Sequence, residues 1–370
     1  MGKQFTFINA RVIDPKVESE TSGTLTINDG LIEKRDGGIK GKVIDCGGMC
    51  LAPGIIDIGV KVCEPGEKHK ESFRSASNAA AIGGVTSLVT RPDTKPSIDN
   101  PELLEFFKNR GKEFSRVRIF PTASLTKRNN GKKMTEIGFL HEGGAVAFTD
   151  GFNSIPNTKT FHTILKYASD FDTLIIGHPQ DHFLTQNTSA SSGVFASIKG
   201  LSSSPNIAEK IGIERDTALV NNINIRYHAD QITTKIGLDV LRHAKKNNKR
   251  LTAGTSVHHI LFNELDIGNY RTFFKLKPPL RNNIDREALT EAIKEGLIDN
   301  ICSMHTPQDE ESKRLPFEEA APGAVGLETI LLASLSLYHN KVLTLNQIFR
   351  LLAFNPAEII KKKLGSLEEG

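Results

Sequence analysis

Ala52-Pro53-Gly54-Ile55-Ile56-Asp57-Ile58-Gly59-Val60-Lys61-Val62-Cys63-Glu64-Pro65-Gly66 opens on a Pro-Gly turn and closes on another. The apolar run 55–62 between them has the length and the branched side chains of a buried strand. Side chains alternate across a strand, so positions 59 and 61 point the same way. One of them is glycine, which offers no chemistry. The other is lysine, whose ammonium repels any second cation. A strand that ends in this pair cannot hold a metal ion from that face.

Seven further short apolar runs follow, at 85–89, 117–122, 145–148, 173–176, 223–227, 251–255 and 298–302. Amphipathic stretches at 101–111, 158–169, 235–247 and 285–295 lie between them, with apolar residues at helical spacing. Eight strand–helix alternations predict a closed α/β fold, the (β/α)8 or TIM barrel. An open doubly wound sheet would show a glycine-rich phosphate turn after an early strand, and none is present.

Ahead of the barrel, short strands are expected at 5–13, 23–27, 30–34 and 42–46, separated by Asn-Asp-Gly and Gly-Gly turns. Behind it, helices are expected at 345–353 and 356–363. The domain reading is therefore 1–53 for part of a small β-domain, 54–340 for the barrel, and 341–370 for helices leading back to the β-domain.

The chain has 370 residues, 47 basic against 43 acidic, for a net charge of +4. That balance does not single out nucleic acid. The densest basic run, 127–133, has no aromatic residue on which a base could stack, so it reads as a solvated loop. No apolar tract is long enough to span a membrane. The four cysteines, Cys46, Cys50, Cys63 and Cys302, have no Cys-x-x-Cys spacing and read as reduced thiols of a cytoplasmic protein. The first six residues fit a loose myristoylation pattern, but a strand beginning at once makes coincidence the better reading.

The opening stretch resembles the first barrel strand of the dihydroorotases, in the amidohydrolase superfamily, where the pattern is Pro-Gly-x-Ile-Asp-x-His-x-His-x-Arg-Glu-Pro-Gly. Further segments are similar in order and spacing. They are Arg91-Pro92-Asp93-Thr94-Lys95-Pro96, Gly144 to Gly151, Thr233-Thr234-Lys235, Pro278-Pro279-Leu280-Arg281, Asp285 to Leu289 and Val325 to Thr329. The resemblance implies an amidohydrolase-type barrel with a small β-domain, incomplete here because the family's last strands have no counterpart after residue 370. It implies a zinc site at the barrel mouth, where metal-activated water and a carboxylate would open a cyclic amide.

At the positions matching the zinc ligands and the acid/base group stand Gly59, Lys61, Asp150, His178, Gln231 and Met304. Only Asp150 and His178 keep the expected chemistry. In the substrate pocket the carboxylate-binding arginine aligns with Cys63, the asparagine with Asp93, a second asparagine with Lys277 and a histidine with Gln308. Asp93 is expected to repel an anionic substrate. Lys61 is expected to replace part of the metal's charge and to pair with Asp150. For Asp150 alone a strand-end hydrogen bond is the plainer role, as loop orientation is for His305. His258 and His259 read as structural, and His228 with Asp230 as unpromising substitute ligands.

The implied function is a dihydroorotase-like protein of pyrimidine biosynthesis without metal or catalysis, a structural partner of aspartate carbamoyltransferase. Self-association stays open. The alternatives are an active amidohydrolase with an atypical site on Asp150 and His178, and a small-molecule sensor.

Overall fold

A computed structural model describes residues 4–33 and 38–370. The start of the myristoylation-like pattern and the end of the expected strand 30–34 lie outside the described residues. The chain divides into two compact units, residues 57–334 and residues 1–56 with 335–370.

In the smaller unit, β1 (Gln4–Asp14) pairs antiparallel with β2 (Ser19–Asn28), and β2 pairs with the two-residue β3 (Leu31–Ile32). On the other side of β1 lie β4 (Lys42–Asp45) and β5 (Cys50–Leu51), both parallel to it. Ala10, Val12, Cys46 and Leu367 form its apolar centre. Leu367 thus packs the C-terminal tail against the sheet, and the Gly370 amide donates to the Ile32 carbonyl at 3.0 Å. The second tail helix departs from the reading. It spans Asn355–Ile359 and follows a wide turn at Arg350–Phe354.

The larger unit is the expected barrel. Its staves are β6 (Ile55–Val60), β7 (Val85–Thr90), β8 (Arg118–Pro121), β9 (Leu174–Gly177), β12 (Arg226–Ala229), β13 (Leu251–Ser256) and β14 (Asn300–Cys302). The pairs β10 (Ala190–Ser191) and β11 (Ser203–Ser204) lie in an excursion between β9 and β12. Strand order runs β6-β7-β8 and β9-β12-β13-β14. The segment 145–148 joins these two sheets by single bridges, Phe148 to Ala123 and Phe148 to Ile175, and by the Val146 amide donating to the Pro121 carbonyl at 2.9 Å. Closure comes from the Lys61 amide donating to the His305 carbonyl at 2.9 Å, and from Asp57 accepting the Ser303 amide at 2.8 Å.

Side chains at both faces of β6 and β9 are buried, as parallel strands between a core and a helix layer require. Tyr227 shows the alternation. Its hydroxyl donates outward to Asp216 on the helix Ile207–Ile223 at 2.6 Å, while its neighbour His228 bonds Thr252 on the next strand. The expected strand at 223–227 begins three residues late because that helix runs on to Ile223 and ends at Asn224 in the left-handed region. Four of the barrel helices start on side-chain caps. Asn100, Asn157, Thr234 and Asn282 each accept a backbone amide of the first turn.

Candidate functional site

The C-terminal ends of the staves bring the expected residues to one mouth, where barrel sites are built. Their partners differ from those expected. Lys61 does not pair with Asp150; its ammonium lies 3.3 Å from Asp93. Asp93 is also gripped by Arg91, through Nε to Oδ1 and Nη2 to Oδ2, each at 3.0 Å. The third guanidinium nitrogen, Nη1, donates to Thr306 at 3.3 Å, and the ring of Phe152 stacks 3.9 Å from the guanidinium. Burial alone would raise the Asp93 carboxyl, but Arg91 and Lys61 outweigh it and hold it at about 2. Asp93 is therefore neutralised, and its expected repulsion of anions does not hold.

Arg91 was not legible as a site residue. It stands where the resembled motif has methionine, and only the neighbouring Asp93 hinted that a cation was needed.

Asp150 faces elsewhere. It accepts the Thr126 amide at 2.9 Å and the Thr126 hydroxyl, and Thr126 in turn accepts the Gly131 amide at 2.9 Å. It pins the basic loop 127–133. Burial pushes its carboxyl up to about 6, against the pull of those hydrogen bonds. The plainer of its two expected roles is the one its geometry supports. His305 behaves likewise. Its Nδ1 accepts the Gly326 amide at 3.2 Å, which leaves the proton on Nε2 for Glu71 at 2.8 Å. His259 bonds Ser256 through Nδ1 at 2.8 Å and the Pro278 carbonyl through Nε2 at 3.2 Å.

A zinc ion does not fit these residues. Gly59 has φ +94°, a conformation L side chains rarely adopt, and a Cβ there would lie 3.1 Å from the Met304 sulfur. The thioether fills the space a strand-one ligand would use. Gln231 and Met304 are themselves at positive φ. His178 stands near Lys277, Arg91 and Arg281. Burial, then these charges, lowers its imidazole to about 3. Among the described residues no three His, Cys, Asp or Glu side chains group to hold a metal. His228 is tied to Thr252 through Nδ1, and among the described residues no group of three ligand-type side chains includes it with Asp230. Asp230 is fully enclosed near Gly59; burial raises its carboxyl to about 7, with Arg91 opposing.

The pocket positions are changed in the same sense. Cys63 is buried, and burial pushes its thiol up to about 11. Gln308 donates to the Pro322 carbonyl at 2.9 Å. Lys277 lines a cavity at the mouth and has no hydrogen bond or ion pair among the described residues.

Residues 48–237 match the dihydro-orotase-like family. The chain is 37% identical to a dihydroorotase of Ehrlichia canis (strain Jake) across 98% of its own length and 83% of that relative. It is 37% identical to a dihydroorotase of Bacillus pumilus (strain SAFR-032), across 96% and 82%. Among solved structures it superposes on an L-hydantoinase (dihydropyrimidinase) from Arthrobacter aurescens with a TM-score of 0.87. That pair is 21% identical and covers 100% of this chain and 85% of the other. No described helix is long and apolar enough to cross a membrane.

Two predictions follow from the ion pairs and the enclosed acid. In a double-mutant cycle read by chemical denaturation, Lys61→Met with Asp93→Asn should show coupling of about 1–3 kcal/mol, while Lys61→Met with Asp150→Asn stays within about 0.5 kcal/mol of additivity. The reverse pattern would restore the Lys61–Asp150 pairing. For Asp230, the folded carboxyl keeps its proton to about pH 7. The unfolded one has lost it by about pH 4. Ionisation therefore favours the unfolded chain across that window. Stability relative to Asp230→Asn should fall by about 1–4 kcal/mol as pH rises from 4 to 7, then level off. A flat difference would show that Asp230 is solvated.

Proposed function

Because the chain belongs to the dihydro-orotase-like family, we propose that it serves pyrimidine biosynthesis as a non-catalytic member and holds aspartate carbamoyltransferase as a structural partner. The observation that carries the first half is the Arg91–Asp93–Lys61 cluster beside Met304, standing where the family chemistry needs a metal and an acid/base carboxylate. Activated water requires a cation that lowers its pKa and a group that takes its proton. Here both cations are engaged with Asp93, and a thioether takes no proton.

The second half rests on the family resemblance and on the outer surface. The excursion between β9 and β12 carries Val194 and Ile198, each 77% exposed. The segment after β13 adds Leu265 and Phe273, at 65% and 72%. Tyr270 ties the two segments together through the Lys199 carbonyl at 2.8 Å. Large apolar side chains left in water on neighbouring segments suit a protein interface. The basic loop 127–133, fixed by Asp150, is a second rim contact. Its charge should alter association rate and salt dependence more than final affinity.

Protein purified without chelator should carry zinc far below one equivalent and give no dihydroorotate above background. Stoichiometric zinc lost on Asp150→Ala, together with turnover, would return the chain to the hydrolases. Light scattering of this protein mixed with aspartate carbamoyltransferase of the same organism should show one heavier species at micromolar concentration, weakened by Val194→Glu with Phe273→Glu. Two independent peaks would remove the partner reading and favour the sensor.

A further inference from the structure

The short helix Val194–Lys199, in the excursion after β9, has an inner and an outer side. On the inner side Ala196 joins Ala190, Leu201, Ile267 and Phe317 in an apolar cluster of their own, with Phe195 packed against it. Val194 and Ile198, one turn apart, are left in water. The segment 264–270 runs beside the helix in the same direction. At the start, a Cβ on Gly193 would lie 3.8 Å from Glu264 Oε2. At the end, the Tyr270 hydroxyl donates to the Lys199 carbonyl at 2.8 Å. The Lys199 ammonium there meets Asn269 Oδ1 at 3.4 Å and the Tyr270 ring at 5.2 Å. Exposed Leu265 flanks the first end and exposed Tyr270 the second.

The result is an apolar ridge with a carboxylate at one end and an ammonium at the other. Neither charge is answered within the described chain. Burial and then the nearby Asp285 hold the Glu264 carboxyl above its ordinary value, and no cation opposes them. Lys199 forms no ion pair among the described residues. This pattern is its own complement. A twofold axis level with Ala196 lays two copies of the ridge antiparallel. Val194 of each copy then meets Ile198 of the other, and Leu265 comes against Tyr270. Lys199 of each copy arrives over Gly193, where Glu264 of the other stands. Every contact is made twice. A foreign partner has to bring this alternation of charge and apolar surface itself, whereas a second copy supplies it by symmetry.

We propose that two copies of the chain pair through this ridge in a twofold dimer, with Lys199 of each copy on Glu264 of the other. The ridge is one short helix long, about 9 Å. That places the contact at the small end of specific interfaces and its dissociation in the micromolar range. Pairing covers Val194, Ile198 and Leu265, so a second copy competes for them with the carbamoyltransferase. The dimer does not rest on that partnership and is measured without it.

The test is sedimentation velocity of the whole chain across the micromolar range at neutral pH. Monomer should give way to dimer as concentration rises, and Ile198→Glu should keep the chain monomeric. Lys199→Glu and Glu264→Lys, each alone, should weaken pairing about tenfold or more, because each sets like charges together twice. An equimolar mixture of these two variants should dimerise again, as should a chain carrying both changes. Recovery on mixing separates a contact between copies from a role in folding. A chain that stays monomeric throughout, a dimer indifferent to Ile198→Glu or to either charge change, or no recovery in the mixture would each overturn the proposal. Should one charge variant fail to fold, the chain carrying both changes and Ile198→Glu still decide it. A monomeric result leaves the mixing experiment with carbamoyltransferase unaffected, so the two readings fail separately.

Discussion

Asp93 between Arg91 and Lys61 is the interaction on which the barrel mouth depends. Two cations from adjacent staves converge on one carboxylate, at 3.0 and 3.3 Å. Without it, two positive charges would face each other in a largely dry space, a cost of several kcal/mol for each unpaired ion. The same cluster ties the first stave to the last, because Arg91 also reaches Thr306 and the Lys61 amide bonds the His305 carbonyl. Ion pairing and barrel closure are therefore met by the same few residues. A metal ion brought to this place would meet these cations, and among the described residues no three His, Cys, Asp or Glu side chains group to receive it.

With Lys61 and Arg91 both engaged at Asp93, the remaining polar groups serve the scaffold. Asp150 holds the loop 127–133 through Thr126, and His305 joins Glu71 to the Gly326 amide. Glu209 gathers the turn after β12, accepting from both backbone amides and both hydroxyls of Thr233 and Thr234. Asp150, His305 and Glu209 all satisfy backbone donors at the strand ends.

The barrel was legible in the sequence because eight apolar runs separated by amphipathic stretches have few other solutions. Where the reading slipped, local chain geometry was at work. The apolar residues Ile223 and Ile225 looked like the start of a strand, yet the helix before them had not ended. The excursion with β10, β11 and the short helix Val194–Lys199 has no periodicity long enough to register. The site was legible as an inventory of losses and not as an arrangement. Residue identities at Gly59, Lys61, Gln231 and Met304 announce that metal chemistry is unsupported. Which carboxylate answers Lys61 depends on side-chain reach at the ends of three staves. Asp93 wins because Arg91 already holds it there, while Asp150 is claimed by Thr126 from the other side.

Backbone and side chains make separate demands at this mouth. Gln231 and Met304 sit at φ +57° and +48°, and Gly59 at +94°. Left-handed conformations cost about 1–3 kcal/mol at non-glycine residues and persist where surrounding structure imposes them. Here the surroundings do so. The residue after Gln231 bonds the next stave, Ile232 to Gly254 at 2.9 Å, and the Met304 carbonyl accepts the Thr306 hydroxyl at 3.0 Å. Those turns aim positions 231 and 304 inward, whatever residue occupies them. The fold thus preserves the geometry of a catalytic mouth, and the side chains decide what the geometry is used for. A TM-score of 0.87 to a hydantoinase measures the shared fold and carries no information about the side chains at the mouth. In this chain the inward positions deliver a thioether and an amide, and the space they enclose belongs to an ion cluster.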